Sequence, residues 1–164
     1  MNSSNSPSFY EENELLKARS KTIVNYIVML ISLASKKGMN HEDLIDWIHK
    51  TYEEHGYYDQ WIYINGYGNT EAFVKMFAQG RNLLYDNIEV NNLSDGYEVK
   101  THTWYESEIP EAFFYFDMDA EEFANYSAKL AIKNAEKLGI NLSIKKEGNI
   151  EIAYIKKLTN HSVE

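Results

Sequence analysis

Residues 97 to 106 alternate in a way that few folds accept. Tyr97, Val99, Thr101, Thr103 and Tyr105 fall on one side of an extended chain, and Glu98, Lys100, His102, Trp104 and Glu106 on the other, because successive strand side chains point to opposite faces. Such a segment needs apolar cover on one side only, as in an antiparallel sheet with helices packed on a single face. The turn Ser94-Asp95-Gly96 stands in front of it. A further extended run, residues 87 to 93, precedes the turn, so the two read as a hairpin. The signature returns near the C-terminus, where residues 140 to 146 and 150 to 156 flank Gly148-Asn149.

The stretches between carry helical periodicity and helix punctuation. A helix is predicted over residues 11 to 37, with Glu11, Glu12 and Glu14 at its start and Lys36 and Lys37 at its end, as the helix dipole favours. Ile23, Tyr26, Ile27, Leu30 and Ala34 mark one face, and Val24, Val28 and Ile31 broaden it. A helix apolar over most of its girth is expected to be central or to lie in a dimer interface. Asn40, with Asp43 three residues on, caps a second helix that ends at Gly56. These two helices read as an antiparallel hairpin. Residues 60 to 64 are expected as a short strand, and residues 65 to 69 as a Gly/Asn-rich loop. A helix follows over residues 70 to 84, with Gly80 inside it to mark a close helix approach. Residues 112 to 116 are expected as a buried strand. Asp119 then caps a last helix, closed by Gly139.

The predicted fold is therefore α+β. An N-terminal helical hairpin, residues 10 to 56, packs on a mainly antiparallel sheet built from two strand–helix–strand–strand units, residues 60 to 106 and 112 to 156. Residues 10 to 157 form a single domain, preceded by a disordered leader over residues 1 to 9 and followed by a frayed tail over residues 158 to 164. Over residues 60 to 156 the element order resembles that of the GyrI-like small-molecule-binding domains and of helix-plus-hairpin ligand domains of the 4-vinyl reductase type. That resemblance implies a small-molecule ligand.

Composition narrows the function. A net charge of −9 argues against a protein that tracks nucleic-acid phosphates, and against an anionic membrane surface. It leaves room for a basic protein partner. Cysteine is absent, which rules out disulfides and thiolate chemistry and fits a reducing cytoplasm. The longest strictly apolar run, residues 27 to 31, is too short to span a bilayer. No metal is expected: His49 and His55 share no helix face, His41 and His49 are two turns apart, and no His-Glu-x-x-His pattern occurs. No cofactor motif is present either, since Gly66-Tyr67-Gly68 lacks the third glycine of a dinucleotide loop.

The candidate site follows from the alternation. His102, Trp104 and Glu106 share a strand face at i, i+2, i+4, with heads roughly 7 Å apart per step. His102 and Glu106 are the candidate acid–base pair. Trp104 can stack a planar ligand, with Tyr105 next to it. The 13 tyrosines of the chain supply amphipathic walls, and Trp61, Tyr63 and Tyr67 form the expected rim. Arg81 and Arg19 are the two arginines, and each can anchor a carboxylate. The reading is a domain that binds a small apolar or aromatic molecule, with cofactor-free acid–base chemistry as an extension. Two alternatives accompany it: an acidic interaction module or inhibitor docking on a basic protein, and a homodimer through the first helix.

Overall fold

The computed structural model describes residues 12–84, 86–103 and 105–157. The predicted leader, the predicted tail and Trp104 lie outside the described residues.

Seven helices and four strands are described: α1 (Glu12–Lys36), α2 (His41–Glu54), α3 (Tyr57–Asn65), α4 (Thr70–Leu84), β1 (Asp86–Leu93), β2 (Gly96–His102), α5 (Tyr105–Glu108), α6 (Pro110–Tyr115), α7 (Ala120–Lys137), β3 (Ile140–Glu147) and β4 (Ile150–Lys157). The strands form one antiparallel sheet in the order β1-β2-β4-β3. The α+β class, the helical start and both hairpins are as expected.

Local chemistry sets the boundaries. Asn40 Oδ1 accepts from the Asp43 amide at 2.9 Å, and Asp43 Oδ2 accepts from the Asn40 amide at 3.2 Å. This reciprocal box starts α2. Asp119 Oδ1 accepts from the Glu122 amide at 2.6 Å and starts α7. Asn69 Oδ1 accepts from the Ala72 amide at 3.1 Å and starts α4.

Three segments differ from expectation. Residues 60 to 64 belong to helix α3, in which Tyr58 is buried, Trp61 and Ile62 pack against the sheet core, and Tyr63 and Ile64 face out. That 58/61/62 spacing is the helical i, i+3, i+4 pattern. Residues 112 to 116 are mostly helix α6. Pro110 opens it at a position where a missing amide hydrogen costs nothing, and two buried residues, Ala112 and Phe113, are followed by two exposed ones. Each unit thus keeps its helix and hairpin but is led by a short helix. Finally, β2 ends at His102, opposite the first residue of β4, Ile150. Beyond it Thr103 turns away, donating from its amide (2.8 Å) and its Oγ1 (3.0 Å) to the Asn149 carbonyl.

The alternation assigns faces as read. Val99, Thr101, Thr103 and Tyr105 are all buried, while Glu98, Lys100 and His102 are half-exposed. Two apolar clusters fill the interior. One joins α1, α2, α5, α6 and the first half of α7. The other joins the inward sheet face to α3, α4 and the second half of α7.

Candidate functional site

Helices α4 and α7 pack on the same sheet face, and a charged pair is buried beneath them. Arg81, from the last turn of α4, is 6% exposed, and Glu151, the second residue of β4, is 4% exposed. Arg81 Nη2 stands 2.8 Å from Glu151 Oε1, and Nη1 donates to Ser127 Oγ of α7 at 3.0 Å. The guanidinium carbon lies 4.8 Å from the centre of the Phe77 ring. Burial pushes the Glu151 carboxyl above its ordinary range, while Arg81 and then Lys146 pull it down. Glu151 sits in strict register with the inward residues Ala153 and Ile155, across from buried Thr101 of β2.

Above this pair, α4 and α7 part to leave a groove of about 240 Å³, walled by Met76, Phe77, Leu130 and Ala131, with Gly80 on the lip and Arg81, Ser127 and Asn134 as its polar groups. The expected close approach at Gly80 is not what the structure holds. A β-carbon there would meet nothing within 4 Å. Two larger grooves, of about 510 and 320 Å³, are lined mainly by charged and amide side chains.

A directed chain of hydrogen bonds ends at the groove. Tyr58 Oη donates to Asn134 Oδ1 at 2.9 Å. With its proton committed there, Tyr58 accepts from His49 Nδ1. His49 is 2% exposed, and donating to a Tyr58 oxygen whose own proton is committed requires the Nδ1–H tautomer. Burial lowers its basicity, with help from Lys133 and Lys137. Burial also raises the Tyr58 phenol. Both groups therefore stay neutral near pH 7, and the chain serves to orient the Asn134 amide. Asn134 itself lines the groove, and with Oδ1 taken by Tyr58 its Nδ2 is the end with donors to offer. Ion pairs between α2 and α7, Glu42 with Lys129, Asp46 with Lys133 and Glu53 with Lys137, flank this chain.

Arg81, read in the sequence as an anchor for a carboxylate, holds Glu151 here, but the expected catalytic and ligand-binding residues do not gather around it. His102 lies on the outward sheet face and its Nε2 accepts from Asn149 Nδ2 at 2.6 Å, a tie to the β3–β4 turn. Glu106 is in α5, off the strand. Glu108 nearby meets Lys17 at 2.8 Å and Lys21 at 3.0 Å, which hold its carboxyl below the ordinary range. Tyr105 is wholly buried between Phe113 and Phe123, at ring separations of 6.1 and 5.1 Å. Trp61 borders the 510 Å³ groove. Tyr63 is 91% exposed. Tyr67 covers Gly139, at the sheet end opposite His102. Glu151, His49, Tyr58 and Asn134 were not among the expected site residues. Glu151 carried a readable signal, a carboxylate on the inward parity of an otherwise apolar strand face.

No protein-family model matches the chain. Over 145 residues it is 53% identical to a Bacillus subtilis (strain 168) protein described as uncharacterized protein YxnB, a match covering 88% of this chain and 91% of that protein.

Proposed function

We propose a ligand-binding function for this chain, which belongs to one family with the uncharacterized Bacillus subtilis protein YxnB. The ligand is a small, neutral, apolar or aromatic molecule, and it lies in the groove between α4 and α7. The observation that carries the reading is Gly80. A glycine inside a helix costs roughly 1 kcal/mol against alanine. This one has neither a positive φ nor a neighbour within reach of a β-carbon to account for it. What it does is leave the lip of an apolar groove open.

The chemistry of the lining selects the ligand. Arg81 is neutralised by Glu151, so no net charge calls for a counter-ion. Met76, Phe77, Leu130 and Ala131 favour apolar surface, and the oriented Asn134 amide offers one hydrogen bond to an acceptor such as a carbonyl. The acidic-module alternative is supported less well. Of the acidic residues on α2, Glu42, Asp46 and Glu53 are already paired with lysines of α7. Among the described residues no helix is long and apolar enough to cross a membrane. The absence of cysteine fits a reducing compartment, and we place the protein in the cytoplasm.

Ligand-observed NMR against benzamide, phenol, indole and benzoate, with Gly80→Leu as the blocked control, tests this. Saturation transfer to a neutral aromatic, absent for benzoate and abolished by Gly80→Leu with the circular dichroism unchanged, is the expected result. Transfer that persists in Gly80→Leu, or none to any neutral probe, overturns the reading.

A further inference from the structure

Helix α1 buries one stripe, Val24, Val28 and Ile31, in the core. It carries a second apolar stripe that the described chain leaves uncovered. Leu16, Ile23, Tyr26, Leu30 and Leu33 are 39–57% exposed. With Arg19 and Lys37 they complete an unbroken 3-4-3-4 spacing from residue 16 to residue 37. That is the seam spacing of a two-stranded coiled coil, and its partner is another helix carrying the same repeat.

We propose that the occupant is a second copy of this chain, with the two α1 helices antiparallel and crossing near Tyr26. Charge settles the direction. In a parallel pair Arg19 would face Arg19, and Lys36 and Lys37 would face their own copies. In the antiparallel pair Arg19 falls towards the other copy's Leu33 and Lys37 towards Leu16, which keeps the seam cations apart. The same arrangement lays the exposed Glu14 of the first turn towards Lys36 and Lys37 of the other copy, and opposes the two helix dipoles. The flanks of the seam between residues 20 and 34, namely Ser20, Thr22, Ile27, Met29 and Ala34, are uncharged, so nothing there repels an identical helix. The apolar part of the seam, Leu16 to Leu33, runs about 26 Å along the helix at 1.5 Å per residue. Five half-exposed large side chains from each copy bring the pair near the ~1,000 Å² at which specific interfaces begin.

The cysteine-free background makes the test direct. Light scattering at high micromolar concentration is expected to give twice the 19.1 kDa chain mass, and Leu30→Glu is expected to give the single mass with unchanged circular dichroism. On mild oxidation Tyr26→Cys, at the crossing point, is expected to form a covalent dimer. Leu16→Cys alone is not, because its two copies stand about 30 Å apart along the antiparallel pair. Leu16→Cys mixed with Lys37→Cys is expected to cross-link. A wild-type monomer at that concentration overturns the proposal, as does a Leu30→Glu protein that stays dimeric. Leu16→Cys linking to itself overturns the antiparallel direction, because only a parallel pair sets every seam position against its own copy.

Discussion

The ring of Tyr67 fills the space that a side chain on Gly139 would need. A β-carbon at Gly139 would stand 2.5 Å from Tyr67 Cε1 and Cζ. Gly139 also has a φ of +75°, and the neighbouring Gly68 amide donates to the Leu138 carbonyl at 2.9 Å. The loop before α4 and the corner between α7 and β3 are thus clasped together. Gly139→Ala is expected to cost about 1–2 kcal/mol for the left-handed backbone, plus the displacement of the ring. In a Tyr67→Ala background only the backbone cost remains. Urea denaturation of the two single variants and the double variant reads the difference.

The Arg81–Glu151 pair predicts strong non-additivity. Arg81→Met alone leaves a buried carboxylate without its cation, and Glu151→Leu alone leaves a buried guanidinium. Each is expected to cost about 3–5 kcal/mol. The double variant Arg81→Met/Glu151→Leu should recover most of that loss, because neither charge is then stranded. A double variant as unstable as the sum of the singles would show that the pair is held by something other than mutual neutralisation.

Gly80 sets stability against binding. Gly80→Ala is expected to raise unfolding stability by up to about 1 kcal/mol. Its methyl group meets no protein atom but stands on the lip of the groove, so it should weaken a groove ligand. Gly80→Leu should be stabilised similarly and bind nothing. Thermal melts with and without a neutral aromatic probe separate the two effects.

His49 gives a pH dependence of known sign. Burial disfavours its charged form, so its folded pKa lies below that of the unfolded chain, which is near 6.5. Between those two values the unfolded state binds more protons. Stability from this group is therefore full above about pH 6.5 and is lost as the pH falls towards the folded value. Denaturation midpoints measured from about pH 7.5 to about pH 5.5 are expected to decline, and His49→Asn to flatten that decline.

Much of this architecture is written locally. The parity of residues 97 to 103, the caps at Asn40 and Asp119, and the turns at Asp95-Gly96 and Gly148-Asn149 each depend on a few adjacent residues, and each is legible in the sequence. Residues 60 to 64 and 112 to 116 are short apolar runs that suit strand or helix alike, and their state is decided by which side chains find cover. The groove was not legible. Arg81, one of its polar groups, is held by Glu151, seventy positions away, and its Asn134 is held by Tyr58 and, through it, His49. No local pattern brings those residues together. The inward carboxylate of β4 hints at an unseen cation without naming it.

The two central strands, β2 and β4, belong to different hairpins and pair along all seven residues from Gly96 to His102. During synthesis, the hairpin β1–β2 therefore emerges with one long edge bare and waits while α5, α6, α7 and β3 follow. A bare edge recruits other strands, so the nascent chain passes through its most aggregation-prone interval just before the last strand arrives. The same arrangement means that a single cut in the connection between α6 and α7, around Asp117, yields two pieces that each lack the strand the other holds. Co-expressed, such pieces have a template for finding each other, and the chain is a candidate for a split reporter.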